Sequence, residues 1–281
     1  MPIFSGSRVW DEFPDVVISA RLGEASKHPD YADAKAGNID AAERLVDAVL
    51  TQESADHLGK LIGGRPARIV PVHAEEASGR NKIPAATAVV LGERLGLAVD
   101  TAITQATRAL RTSSDGLERL ARQPDFTGVV ESGANYVLVD DTLTQGGTFA
   151  QMKQFIEHGG GKVIAAFALT GKQYSAKLNP DVNTTAQLRN AYIAIEPWWK
   201  TEFGHNFDGL TESEARYILK SGLSADALRD RVAAARPTDG SGNTAATSGT
   251  AQNGDALQSV AHEQGVDESW RSGTSYSLQF R

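Results

Sequence analysis

Cysteine is absent from the 281 residues. That excludes a disulfide scaffold, a thiolate metal site and a cysteine nucleophile. Long apolar runs are absent too: no stretch approaches the roughly 18 uninterrupted apolar residues of a membrane span, so no membrane partner is expected. A basic excess is missing, with 28 Lys and Arg against 35 Asp and Glu and a net charge of −7. Net charge therefore gives no support to a nucleic-acid binder held by bulk attraction, although a local basic patch is compatible with it. The first residues, MPIFSGSRVWDEFP, show no basic segment leading into an apolar one, so no signal peptide is expected and the location reads as cytoplasmic. What is present suffices for a core. With 41% hydrophobic residues, the chain can build one large domain, or a domain and a small annex.

Hydrophobic periodicity divides the chain. Residues 1–64 read as a mainly helical region, with Ile39, Ala42, Leu45, Val46 and Val49 on one helical face. From 65 to 172 the pattern alternates. Short apolar runs at 68–72, 97–99, 136–139 and 162–169 read as buried strands, and the stretches at 84–95 and 149–158 read as helices. Strand–helix alternation of this kind predicts an α/β core with a mainly parallel sheet. Residues 173–236 read as a mostly helical annex, in which Thr211-Glu212-Ser213-Glu214 is a capping box and Ser224 a second cap. Residues 237–255 are low-complexity and nearly free of large apolar side chains, the composition of a flexible linker. The tail at 256–281 carries Trp270, Tyr276, Leu278 and Phe280, which could dock back on the body or reach a protein partner.

The informative segment is Tyr136-Val137-Leu138-Val139-Asp140-Asp141-Thr142-Leu143-Thr144-Gln145-Gly146-Gly147-Thr148-Phe149. An apolar strand ends in two carboxylates, and a loop rich in hydroxyls and glycine then enters a helix. In such a loop backbone N–H groups, hydroxyls and the positive helix end converge on a phosphate. Glycine lets the ligand approach the backbone closely. Two carboxylates just before the cradle suit ribose hydroxyls or a hydrated metal ion. The C-terminal end of a parallel strand is where open α/β sheets bind ligands.

This segment resembles the phosphoribosyl pyrophosphate (PRPP) signature of the type I phosphoribosyltransferases. The resemblance implies a Rossmann-like α/β fold in which Asp140 and Asp141 hold the ribose hydroxyls. Thr144, Gln145, Gly146, Gly147 and Thr148 would wrap the 5′-phosphate, and Mg²⁺ would arrive with the pyrophosphate, with Asp140 and Asp141 nearby. Some members carry an acidic residue at the position of Thr144. Val70-Pro71-Val72-His73 with Arg80-Asn81-Lys82 is similar to the first strand and pyrophosphate loop of ComF-like members, with Lys82 where glutamine is usual. Residues 106–112 and 117–126 lie where the family has its basic catalytic loop. The likeness covers 66–170.

The family reading implies transfer of phosphoribosyl to a nitrogenous base, with Arg80, Lys82, Arg108 and Arg111 as the catalytic cations around the leaving pyrophosphate. Each could equally be a solvated loop charge. His73 could serve the site or be a hydrogen-bonded structural histidine. Glu75 and Glu76 could help with magnesium or sit on the surface. Trp198 and Trp199 could stack on a base or pack. The base pocket should come from the N-terminal region or from 172–210, and a homodimer is the default for such a family. The alternative is a non-catalytic PRPP- or nucleotide-sensing module whose tail binds a partner, linked in the ComF case to DNA uptake or processing.

Overall fold

The computed structural model describes residues 8, 10–73, 75–76, 79–106 and 116–236, with the backbone alone for 75, 76 and 79. The chain divides into Met1–Thr238 and Asp239–Arg281, and every described residue lies in the first unit. Arg108, Arg111, the linker and the tail lie outside the described residues.

The elements run β1 (Val17–Arg21), α1 (Tyr31–Ala36), α2 (Ile39–Val49), α3 (Gln52–Ile62), β2 (Arg68–Pro71), β3 (Glu75–Glu76), β4 (Gly79–Arg80), α4 (Ile83–Leu95), β5 (Ala98–Val99) and β6 (Thr104–Gln105). They continue through α5 (Gly116–Ala121), β7 (Phe126–Thr127), β8 (Asn135–Leu143), α6 (Gly147–His158), β9 (Lys162–Gly171), α7 (Val182–Tyr192), α8 (Glu196–Phe203), α9 (Glu212–Lys220) and α10 (Ala225–Ala235). Strands β1-β9-β8-β2-β5 form one sheet in that order, and every neighbouring pair is parallel. The fold is the parallel α/β class expected from the alternation of short apolar runs and helices.

Both faces of the sheet are covered, which is why its central strands read as unbroken apolar runs. Alternate residues point to opposite faces. Ile69, Val137, Val139 and Phe167 join a core with Leu45, Leu58 and Leu91 of α2, α3 and α4. Val70, Tyr136, Leu138 and Ala166 join the opposite core, with Phe149, Met152 and Ile156 of α6. The region 1–64, read as mainly helical, also holds β1, an edge strand of the main sheet in register with β9 from Val17↔Phe167 to Arg21↔Gly171. A strand of five residues, VISAR, is too short for its alternation to stand out in the sequence.

A third core belongs to the helices after the sheet. Leu188, Tyr192, Trp199, Phe203, Phe207, Ile218, Leu228 and Val232 pack together, and Leu117 and Leu120 of α5 join them. Helix α5 precedes the signature strand in sequence yet packs with the annex. Trp199 is fully buried, with its ring 4.4 Å from that of Phe203 and 5.6 Å from that of Phe207, so packing is its role and stacking on a base is not. Helix α9 opens on the expected capping box: the Thr211 side chain accepts from Glu214 N, and the Glu214 side chain accepts from Thr211 N.

His205, buried beside this core, has an acid-sensitive consequence. Burial, with the nearby charge of Arg8, depresses its pKa from 6.5 to about 3, against the opposing hydrogen bond with the Asn206 carbonyl. The folded protein therefore keeps His205 neutral while the unfolded chain protonates it below 6.5. Stability should fall by about 1.4 kcal/mol for each pH unit below 6.5, until the pH nears 3. Unfolding by denaturant at pH 7, 6, 5 and 4 should show this slope, and His205→Gln should flatten it. Equal slopes in the two proteins would place the acid sensitivity elsewhere.

Candidate functional site

The site is built at the C-terminal ends of β2 and β8. Strand β8 runs to Leu143, pairing with β9 as far as Leu143↔Gly171. The strand therefore does not stop before the acidic pair, as the apolar run suggested: Asp140 and Asp141 are held in the hydrogen-bond ladder. Helix α6 likewise starts early, at Gly147 rather than Phe149. Only Thr144, Gln145 and Gly146 connect the two elements. Gly146 adopts φ +83°, and a Cβ there would lie 2.4 Å from Leu178 Cδ2. The turn therefore needs glycine for both its dihedral and its space. Gly147 and Thr148 stand in the first turn of α6, whose N–H groups have no intrahelical acceptor. Together with Asp140, Thr142, Leu143 and Thr144–Phe149, the side chains of Arg119 and Glu214 line a small cavity of about 40 Å³ at this turn.

The two carboxylates have different surroundings. Asp141 is buried, and its Oδ2 accepts from Asn81 Nδ2 at 2.9 Å and pairs with Lys35 Nζ at 2.8 Å. Burial alone would raise its pKa, but the ammonium of Lys35 and the hydrogen bonds from Lys35 and Asn81 outweigh it and hold Asp141 below the usual carboxylate range. Asp140 Oδ1 accepts the Asp141 backbone N–H at 2.8 Å. Burial, followed by the charge of Asp141, pushes Asp140 well above that range. Like charges this close cannot both ionise cheaply. The pair thus comprises an ionised, internally satisfied Asp141 and an Asp140 inclined to keep its proton. Neither Lys35 nor Asn81 stood out as a site residue in the sequence. Lys35 comes from α1, and Asn81 was visible only as part of Arg80-Asn81-Lys82.

That tripeptide is anchored by Asn81, which also caps Ile83 N at 3.1 Å. The anchor brings Arg80 and Lys82 to the same end of the sheet. His73 is half-buried there, and its pKa is lowered by burial and then by the charges of Lys82 and Arg80. Lys82 is lowered by burial and by Arg80. Three nitrogen groups thus share one positive region, whereas the Glu75 and Glu76 side chains lie outside the described residues. Arg119 of α5, absent from the predicted cations, lines the cradle; it stands between Leu117 and Leu120, whose burial aims it away from the third core. Among the described residues no group of three His, Asp or Glu side chains could hold a metal ion.

The cradle already has a carboxylate against it. A Cβ on Gly147 would lie 2.5 Å from Glu214 Oε1. Glu214 is 2% exposed and 3.9 Å from Arg8 Nη1. Thr211 Oγ1 donates to the Gln145 carbonyl at 2.5 Å. The capping box of α9 therefore does two jobs: it starts its own helix and docks that helix on the cradle turn. A negative side chain beside the N-terminus of α6 is favourable for the helix dipole, and it lines the cavity at the cradle turn.

No protein-family model matches the chain. It is 43% identical over 228 residues to protein TraN of Escherichia coli, covering 81% of this chain and 51% of that one. It is 44% identical over 146 residues to an uncharacterized protein of Haemophilus influenzae, covering 52% of this chain and 33% of that one. The chain thus spans about half the length of the first relative and a third of the second. Among solved structures it is similar to an adenine phosphoribosyltransferase, at 17% identity and a TM-score of 0.32, covering 49% of this chain and 74% of that one. It is also similar to the UMP synthase of Leishmania donovani, at 15% identity and a TM-score of 0.30, covering 63% and 33%. Overlaps this partial carry no argument about function. No described helix is long and apolar enough to cross a membrane.

Proposed function

We propose that the chain binds the ribose and phosphate of PRPP, or of a nucleotide 5′-phosphate, and transfers phosphoribosyl to a nitrogenous base with release of pyrophosphate. One observation carries this reading. A parallel strand delivers two carboxylates at its C-terminal end and then turns, through a glycine with no room for a side chain, into the N-terminus of α6. Asp140, with its raised pKa, suits exchange of hydrogen bonds with ribose hydroxyls. Thr144, Gln145, Gly146, Gly147 and Thr148 offer backbone N–H groups and hydroxyls to the 5′-phosphate. Arg80, Lys82 and Arg119 supply positive charge for the departing pyrophosphate, with His73 beside Arg80 and Lys82, and Arg108 and Arg111 would add to it. In the transfer a base nitrogen forms its bond to ribose C1 as the C1–O bond breaks and pyrophosphate leaves with the electron pair. The transition state then resembles an oxocarbenium ion. The protein's contribution is positioning and charge stabilisation. A proton-holding Asp140 and a Lys35-bound Asp141 make a poor metal site by themselves, so Mg²⁺ would be held mainly by the oxygens of the ligand.

The test is calorimetric titration with PRPP, with and without Mg²⁺, followed by pyrophosphate release against a panel of bases. Binding with release for one base supports the reading and names the acceptor. Absence of PRPP binding under both conditions refutes it.

A second reading, a ligand-sensing module, is favoured by Glu214. A phosphate entering the cradle must move or neutralise this carboxylate, and with it the capping box of α9. Ligand occupancy would then be reported to the annex, and a partner at the tail, including one concerned with DNA uptake or processing, could read it. PRPP binding without release for any base supports this alternative.

A further inference from the structure

A second cavity, of about 270 Å³, opens on the other side of the cradle turn. It is lined by Thr144, Gln145, Lys172, Tyr174, Ser213, Arg216, Tyr217 and Lys220. Three of these residues are cations, and no carboxylate is among them. Arg216 and Lys220 stand four apart on α9, where like charges repel when nothing lies between them. The neighbouring acid is Glu212, and its carboxylate is already taken: it accepts from Asp181 N at 2.7 Å and Thr184 Oγ1 at 3.0 Å, leaving Arg216 at 3.9 Å.

Two tyrosines accompany the charges. Tyr174 is 64% exposed, an unusual cost for a large ring, and Lys172 Nζ lies 5.7 Å from its centroid. Tyr217 is pinned by its hydroxyl, which accepts from Gly116 N at 3.2 Å. Gln145 supplies an independent sign of a ligand. Its Nε2 is buried without a hydrogen-bond partner, although a buried amide donor is normally satisfied. Gln145 lines this cavity and the cradle alike.

We propose that this cavity binds a planar ring bearing a carboxylate, an anionic heterocycle. The cations receive the carboxylate, a tyrosine ring offers a stacking face, and the Gln145 amide donates to a ring or carboxylate oxygen. The volume matches one substituted ring and falls below that of a drug-sized site. An uncharged purine would bring no negative charge to these cations. The proposal rests on the phosphoribosyl reading only in making this ring the acceptor, because the cavity shares Thr144 and Gln145 with the cradle. The acceptor would then be an acidic base rather than a neutral one.

Two matched probe pairs test it by titration: nicotinate against nicotinamide, and orotate against uracil. The carboxylates should bind at least about tenfold more tightly, the range expected of charge-assisted hydrogen bonds. The advantage should shrink in high salt and vanish in Arg216→Gln with Lys220→Gln, two exposed positions whose replacement leaves the third core intact. Equal affinities within each pair, no binding of any probe, or a preference that survives the double variant would each overturn the proposal. PRPP is titrated into the same proteins. Absence of a carboxylate preference in the unaltered protein, with PRPP bound, refutes this inference alone, whereas no PRPP binding in the unaltered protein refutes the phosphoribosyl reading alone.

Discussion

Asp141→Asn should cost about 3 kcal/mol of folding stability, the penalty for removing one partner from a buried ion pair. The substitution is nearly isosteric, so packing is unchanged and the loss is electrostatic. Asp141 answers Lys35 Nζ at 2.8 Å, and the two side chains are only 11% and 14% exposed. Without the carboxylate, the ammonium stays buried opposite a neutral amide. Lys35→Met in the same chain should recover most of the loss, because it removes the stranded charge and keeps the aliphatic stem. Asp140→Asn should behave in the opposite way. Asp140 is inclined to keep its proton, so a neutral amide in its place should leave the fold with near-normal stability. PRPP binding should instead fall about a hundredfold or more, since hydroxyl donors lose a carboxyl partner in a desolvated site. Denaturant unfolding and calorimetric titration of the four proteins separate these effects. If Asp141→Asn unfolds like the unaltered chain, the Lys35 pair does not hold the site together. If Asp140→Asn binds PRPP as before, the signature strand is not the ligand site.

This split shows what the sequence could and could not reveal. Residues 136–149 were legible because their information is local. An apolar run, adjacent acids, a double glycine and a helical period all fall within fourteen consecutive positions, and each dictates its neighbour's conformation. The β8–turn–α6 unit accordingly formed where expected, with the strand longer and the helix earlier than periodicity alone could set. Polar residues in a strand obscure its end, and glycines conceal a helix start. Lys35 was illegible for a different reason. It sits on a six-residue helix of ordinary composition, and only the packing of that helix against α2 and β4 brings it within reach of Asp141. Edge strand β1 and the burial of α5 with the annex are likewise products of tertiary contact. Glu214 is the instructive case. The capping box Thr211-Glu212-Ser213-Glu214 explained it completely at the local level, so nothing in the sequence called for a second role. That role appears only when α9 is docked, with Glu214 against Gly147.

Glu214→Gln should therefore raise the affinity for phosphate while lowering stability. Glutamine keeps the geometry of the capping box, because it too can accept from the backbone N–H of Thr211. It removes the negative charge that faces the cradle. Two like charges about 4 Å apart at a protein surface repel by about 4 kcal/mol at an effective dielectric of 20, and screening reduces this. A gain of at least about tenfold in affinity for PRPP or inorganic phosphate is a conservative expectation. The cost falls on Arg8, which is buried with its pKa lowered by burial to about 10, and for which Glu214 is the compensating charge. A generic packing defect would lower affinity and stability together, so the opposite signs are diagnostic. Titration calorimetry and thermal unfolding of the same preparation read both. Unchanged affinity would mean that Glu214 leaves the cradle when ligand binds at no cost, and that α9 is no obstacle. Reduced affinity would mean that the carboxylate belongs to the ligand site. A gain in affinity would make the annex a built-in competitor of the ligand, set against the cradle by the same four residues that start its helix.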